Sequence, residues 1–446
     1  MPKYRSEPPP IFGPPPGIPY IVGNEAAERF SYYGMRAVLV VYMTQYLMSP
    51  TGQPAHMSED EAKGWFHLFV SATYFTPILG ALLADGWLGK YRAIILLSMV
   101  YCLGHLAFAL DDSRAGLLLG QTLIALGAGG IKPCVSAHVG DQFADTNRHL
   151  LSRVYSWFYF AINLGAFASM LLTPWLLEHH GPSAAFGVPG LLMLAATLIF
   201  RAGRHRFTHV PADGRVFLKT ALSSEGLGAL ARLSVIYAFV AVFWALFDQT
   251  GSSWVLQARD LDQEIFGQRV LPSQIQAANP LLIMLLTPLF YHGLYPWLET
   301  RVRLTALRKI GAGMFLAGLA FVLAARIQEA IDAGGKPSMA WQLLDYLILT
   351  SAEVMVSITC LEFSYTQAPK AMKSLVMSFF MMSVALGNLF TGAVNFFILA
   401  PDGGSKLAGA DYFWFFAWLM LATATLFSLA SRYFPERVPS PAGSNP

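Results

Sequence analysis

The stretch NEAAERFSYYGMR, residues 24–36, places two carboxylates and two guanidinium groups inside an apolar run from Gly17 to Met48. Glu25, Glu28, Arg29, Tyr32, Tyr33 and Arg36 recur at spacings of three, four and seven, which stacks them on one face of a helix. Ionisable groups at membrane depth cost several kcal/mol each unless they are paired or hydrated, so each marks a candidate site. The chemistry open to such a face is ion pairing that can be made and broken, and proton carriage by the acids. A purely structural cluster is the plainer alternative, but buried ion pairs add little net stability.

Other lone ionisable groups lie further along. Lys132, in LGAGGIKPCVSAHVGDQF, follows glycines that let neighbouring backbones approach. It must find a carboxylate or a ligand, or snorkel to the surface. Asp248 in FWALFDQTGSSW and Glu353 in SAEVMVSIT are single carboxylates in the second half of the chain. Opposite charges in opposite halves predict pairs that form in one conformation and break in another. His67, in WFHLFVSATYFTP, has the titration range of a proton site and is equally open to a packing role, whereas His105 reads as a packing residue. Tyr42, Tyr74, Tyr159, Asn163, Trp244 and Asn279 complete the aromatic and amide inventory. No Gly-x-Ser-x-Gly, HExxH or phosphate-cradling loop occurs, so hydrolytic and ATP-driven chemistry have no visible apparatus. The expectation is no enzyme, no catalytic residue, no metal and no cofactor.

The elements that must position these groups are membrane helices. Of 446 residues, 55% are hydrophobic and 13% charged, where a soluble domain carries about 25% charged residues; mean hydropathy is +0.47. Runs of 18 or more apolar residues predict twelve spans, near 17–48, 64–84, 93–110, 115–138, 152–177, 184–200, 233–257, 272–298, 304–325, 341–366, 374–399 and 411–431. With a cytoplasmic N-terminus, twenty of the 30 basic residues fall inside, seven outside and three within spans. That bias predicts both termini inside, and the net charge of +3 reads as a topology signal rather than nucleic-acid binding.

The longest polar interruption, residues 201–232, divides the spans into an N-terminal six-helix bundle, 17–200, and a C-terminal one, 233–431. This is the layout of transporters with a midplane site between two halves. Proline-rich residues 1–16 and residues 432–446 read as a cytoplasmic lead-in and tail. The three cysteines, Cys102, Cys134 and Cys360, have no pairing or metal spacing and read as packing residues. GALLADGWLGKYR, residues 80–92, at the first inside turn, has glycines for close helix approach, and Asp85 with Lys90 and Arg92 can lock the two halves together on the cytoplasmic side; it resembles the loop between helices two and three in the major facilitator superfamily.

Several long motifs resemble the proton-coupled oligopeptide transporters, in family order and across nearly all spans. NEAAERFSYYGMR is similar to their ExxERFxYYG motif, and FYFAINLGAF (158–167) and FWALFDQTGSSW (243–254) to the signatures of helices five and seven. HLFVSATYFTPILGALLADGWLG and SAEVMVSITCLEFSYTQAPKAMKS (351–374) look like the animal type. The resemblance implies an all-α major facilitator fold. It implies that Arg29 and Lys132 hold a peptide carboxylate and that Glu353, with Asn163 and Asn279, receives its amino terminus. Tyr33, Tyr42, Tyr74, Tyr159, Trp244 and Phe380 would line the peptide site. Glu25, Glu28, His67, Asp248 and Glu353 would serve proton coupling. Arg36 with Asp248 would form an outer gate, and Lys132 with Glu353 an inner one.

The chain also departs from the family. Residues 201–232 leave no room for the two extra helices of many bacterial members, and only about fifteen residues stand where animal members carry a large external domain. Tyr291 and His292 replace a helix-eight aspartate whose arginine partner is matched by Arg232. The implied function is proton-driven import of di- and tripeptides, extending to peptidomimetic drugs, across a plasma membrane or a bacterial inner membrane. The implied partners are peptide, proton and lipid bilayer, without nucleic acid. A relative carrying another solute such as nitrate, or a peptide-binding receptor without transport, is the alternative.

Overall fold

The computed structural model describes residues 4–212, 224–265, 267–367, 373–401 and 404–433. The centre of the 201–232 connection and the tail beyond 433 therefore lie outside the described residues. Among the described residues the elements are helical, apart from a two-residue hairpin pairing of Glu264–Ile265 with Gln268–Arg269 and five isolated bridges. That pairing modifies the all-α expectation only in a connecting loop.

Helix α1, Ile18–Gln45, starts with proline in its first turn, where a missing N–H costs nothing. Helix α2, Glu59–Leu83, is capped by the Ser58 hydroxyl, which accepts from the Glu61 N–H at 3.3 Å. Three acids in its first turn complement the helix dipole. It runs into a π turn, Ala84–Leu88. Helices α3, Lys90–Leu110, and α4, Arg114–Gly140, follow. Where two spans, 152–177 and 184–200, are expected, one helical run α5, Leu151–Ala202, is bent at Gly181. Its φ of 77° is open to glycine and strained for other residues.

In the second half, α6, Ser224–Phe247, breaks into a 3₁₀ turn at Asp248–Gly251 before α7, Ser253–Arg259. Helix α8, Ala278–Leu289, continues through a π turn into α9, Tyr295–Glu299. Helix α10 is Ala306–Asp332 and α11 is Ala340–Glu353, which passes through a π turn, Val354–Ile358, into α12, Thr359–Gln367. Helices α13, Lys373–Ile398, and α14, Ala410–Ala430, close the order. Among the described residues, ten helices are long and apolar enough to cross a membrane.

The buried apolar side chains form two main clusters, one from Ile18 to Phe207 joined by Val255 and Leu256, the other from Leu230 to Phe427. Within the first, α2 and α4 cross so closely that a Cβ on Gly129 would strike the Thr73 carbonyl and the Thr76 hydroxyl, and one on Gly80 the Gly130 backbone. Between clusters, α2 packs against α13 and α5 against α8.

Polar contacts across the halves gather at one end, around the C-terminal part of α1 and the N-terminal part of α2. Ser71 Oγ donates to the Ala385 carbonyl at 2.8 Å, Gln276 Nε2 to that of Ala37 at 3.0 Å and Gln274 Nε2 to that of Leu171 at 2.8 Å. Arg269 meets Glu178 at 3.3 Å, and Arg259 pairs with Glu59. No hydrogen bond or ion pair joins the halves at the opposite end among the described residues.

Candidate functional site

Helix α1 carries its charged face inward. Arg29 Nε lies 2.7 Å from Glu25 Oε1 and 2.9 Å from Glu28 Oε2. Only the first contact has hydrogen-bond geometry, so Glu28, with 0% of its surface exposed, keeps both carboxylate oxygens without a hydrogen-bond donor among the described residues. The three groups form one compact site in which a single cation serves two acids.

Lys132 reaches the same region from α4, across the close α2–α4 crossing. Its ammonium, in a residue 8% exposed, stands 3.8 Å from the centre of the Tyr74 ring and 4.7 Å from that of Tyr32. The rings attract it through their quadrupoles, but no hydrogen-bond acceptor receives its protons among the described residues. Tyr74 touches the apolar clusters of both halves. The Tyr33 ring meets that of Tyr32 edge-on at 5.4 Å.

A second network joins the halves. Arg36 Nη2 pairs with Asp248 Oδ1 at 2.5 Å, and Asn388 Nδ2 donates to Asp248 Oδ2 at 2.6 Å. His67 Nδ1 lies 2.8 Å from Asn388 Oδ1, and His67 Nε2 2.9 Å from Ser252 Oγ. Because the Asn388 amide spends its N–H on Asp248, its oxygen accepts from His67; this assigns the imidazole proton to Nδ1 and leaves Nε2 to accept from Ser252. Five side chains from α1, α2, α13 and the α6–α7 break thus share one file of hydrogen bonds.

Glu353 stands in α11 at the point where it widens into a π turn. Asn279 Nδ2 donates to Glu353 Oε2 at 2.7 Å and contacts Thr350 Oγ1 at 3.2 Å. Asn163, expected beside it, spends its amide on the Tyr159 carbonyl of its own helix at 2.9 Å. Lys132 and Glu353 are not joined in this conformation; each has the other contacts just described. Trp244 and Phe380 pack with ring centroids 6.4 Å apart, and the Trp244 indole N–H is buried without an acceptor. Tyr159 is exposed.

Tyr42 is not brought to these groups. Its ring packs edge-on against Phe186 at 5.0 Å and Phe108 at 6.1 Å in the first cluster, because its position on α1 turns it toward α3 and α5. Asp85 and Lys90 do not lock the two halves together: Lys90 Nζ pairs with Asp141 of its own half at 2.7 Å. Tyr291 packs on Tyr295 of its own segment at 5.4 Å. His105 Nδ1 donates to the Phe186 carbonyl at 3.0 Å and its Nε2 has no partner among the described residues, which agrees with a packing role.

Outside the spans, burial holds the His209 imidazole below its ordinary pKa, partly offset by its bond to the Arg204 carbonyl at 2.8 Å. Asp111 is held low by the side-chain and backbone hydrogen bonds of Ser113. Among the described residues no group of three His, Cys, Asp or Glu could hold a metal ion.

Asn388 and Ser252 escaped the sequence reading. The available signals were one amide in the apolar run FFMMSVALGNLF and the polar cluster after Asp248.

The POT family model matches residues 91–224 and 217–405. Solute carrier family 15 member 2 of Rattus norvegicus is 37% identical over 409 residues, covering 80% of this chain and 55% of the relative. Peptide transporter family 1 of Drosophila melanogaster is 37% identical over 368 residues, covering 71% and 48%. The chain thus spans about half the length of the curated relatives it matches. The crystal structure of the POT family transporter PepTSo superposes with a TM-score of 0.84 at 36% identity, covering 94% of this chain and 98% of that one.

Proposed function

The chain belongs to the POT family and is a multi-pass membrane protein, and from that premise we propose that it is a proton-coupled symporter importing di- and tripeptides by alternating access. The observation that carries the proposal is the state of two buried groups. Among the described residues, Lys132 faces aromatic rings without a hydrogen-bond acceptor, and Glu353 is met by the Asn279 amide with no cation paired to it. A cation and a carboxylate left available on opposite halves suit the carboxylate and ammonium ends of a short zwitterionic peptide, while its side chains vary. Arg29 would share the carboxylate end and Asn279 the ammonium end. Tyr33, Tyr74, Tyr159, Trp244 and Phe380 would form the tolerant walls. The fold and the chemistry both suit a transporter rather than an enzyme.

The membrane topology follows from the same reading. Ten helices qualify as spans by length and composition. Counting α5 as two across Gly181, and adding α1, whose charges exclude it by composition alone, yields twelve spans in two six-helix bundles. Basic residues then place both termini in the cytoplasm. On that orientation the cross-half contacts lie on the outer side, so this conformation is closed outward, with Arg36–Asp248 as outer gate.

Glu25 and Glu28 share Arg29, so protonating Glu28 frees the cation toward a peptide carboxylate. The His67–Asn388–Asp248–Arg36 file couples a titratable ring to the outer gate, so a second proton on His67 changes a contact that favours one state. One charge crossing 100 mV supplies about 2.3 kcal/mol, and at about 1.4 kcal/mol per tenfold this sustains roughly fortyfold accumulation. Proteoliposome uptake of a labelled dipeptide under an imposed pH gradient tests the proposal: gradient-dependent accumulation supports it, and binding without accumulation contradicts it.

A further inference from the structure

A carboxylate outside both networks has no visible task. Asp345, on α11 two turns before Glu353, is 0% exposed, and neither of its oxygens has a hydrogen-bond partner among the described residues. One turn earlier on the same face, Gln342 is also fully buried, and its Oε1 receives no hydrogen bond. Three buried acceptor atoms therefore sit in neighbouring turns with no proton among them. Buried polar atoms are almost always satisfied, and an ionised carboxylate buried without a partner is strongly unfavourable.

The same residues continue as a file toward the outer face. Gln342 Nε2 lies 2.8 Å from the Trp254 carbonyl and 3.4 Å from Gln257 Oε1. Gln257 Nε2 donates to Gln328 Oε1 at 3.0 Å, and Gln328 Nε2 to Asp332 Oδ1 at 2.9 Å. Gln257 and Gln328 line a cleft of about 290 Å³ between the halves, together with Asp60, Lys63 and Asp260. An amide file thus runs from a cleft lined by three acids, Glu59, Asp60 and Asp260, to a turn short of Asp345.

We propose that Asp345 is an additional proton-binding site at the inner end of the Gln328–Gln257–Gln342 file, whose neutral amides set polar atoms along the approach from the outer cleft but do not themselves carry the proton; this rests on the proton-coupled reading above. A proton on Asp345 turns one of the three acceptors into a donor, so the site is satisfied only when occupied. The groups around it leave it no counter-charge. Its own helix brings Tyr346 and Glu353, and α8 carries no titratable side chain. Helix α7 contributes only Arg259, which pairs with Glu59. Helix α10 brings the exposed Arg326–Glu329 pair, Asp332, which accepts from Gln328, and Arg308 and Lys309 at its other end. Tyr346 Oη donates to the Thr250 carbonyl at 3.2 Å, in the turn that opens with Asp248, whose carboxylate is already paired with Arg36. Among the described residues no side chain forms a hydrogen bond with Asp345.

The test uses the full chain in proteoliposomes, comparing wild type with Asp345→Asn and, should that variant fold poorly, Asp345→Leu. The static-head accumulation of a labelled dipeptide at imposed membrane potentials reads protons moved per peptide. Loss of one proton per cycle lowers the attainable accumulation roughly fortyfold at 100 mV. Infrared spectra of the purified protein add a readout independent of transport: a protonated-carboxyl band at neutral pH that both variants lack and that Asp345→Glu shifts. An unchanged proton-to-peptide ratio together with an unchanged carboxyl band overturns the proposal. Accumulation in wild type that ignores the proton gradient overturns the symporter reading as well, which separates the two failures.

Discussion

Arg36 and Asp248, 212 residues apart in the chain, meet as a 2.5 Å ion pair between the two halves, and the second oxygen of Asp248 is held by Asn388. Breaking one partner of a buried pair leaves the other uncompensated, at about 3–5 kcal/mol. Asp248→Asn should therefore shift the population toward the outward-open state. Labelling of a single cysteine placed between the halves from the outer face should quicken at least tenfold in the variant. Unchanged labelling would remove this pair from the gate.

Asn388 is the junction between His67 and Asp248. Asn388→Ala leaves one oxygen of Asp248 and the His67 Nδ1–H unpartnered, each at about 1–3 kcal/mol. The thermal midpoint in detergent should fall, and the pH profile of uptake should change shape. A lower midpoint with an unaltered profile would confine Asn388 to a structural role.

Lys132 is proposed to bind the peptide carboxylate. A hydrogen bond to a charged group is worth about 1.5–3 kcal/mol, so Lys132→Gln should weaken dipeptide affinity about tenfold to hundredfold. A dipeptide amidated at its C-terminus should bind wild type and variant alike. Equal losses for both ligands would contradict the assignment.

The α2–α4 crossing that delivers Lys132 depends on small residues. In Gly129→Val the side chain would enter the space of the Thr73 carbonyl and the Thr76 hydroxyl. Overpacking of this kind costs about 1–3 kcal/mol or more. The yield of monodisperse protein on size exclusion should fall, and Gly187→Ala, where the nearest atom to an added Cβ is 3.8 Å away, should be tolerated.

The charged face of α1 was legible in the sequence because helical spacing alone stacks Glu25, Glu28, Arg29 and Arg36. The partner of Arg36 came from the family resemblance; the residues alone showed only that Asp248 is a lone carboxylate in the opposite half. The sequence did not reveal that Asp248 opens a 3₁₀ turn or that Glu353 precedes a π turn, because backbone departures of one residue leave no periodic signal. Nor could spacing place Tyr42, whose chemistry suits a binding wall and whose rotation about α1 makes it a packing residue. Asn388 and Asp345 were hidden for a related reason: a single polar residue in a long apolar run reads as noise until its burial and partners are known. The bend at Gly181 was legible as a gap between spans, although the helix continues through it.

The central claim is that Glu28, buried beside Arg29 and accepting no hydrogen bond, takes the proton that drives uptake. In proteoliposomes, Glu28→Gln should abolish peptide accumulation under an imposed pH gradient while peptide-for-peptide counterflow persists. Gradient-driven accumulation equal to that of wild type would contradict the account.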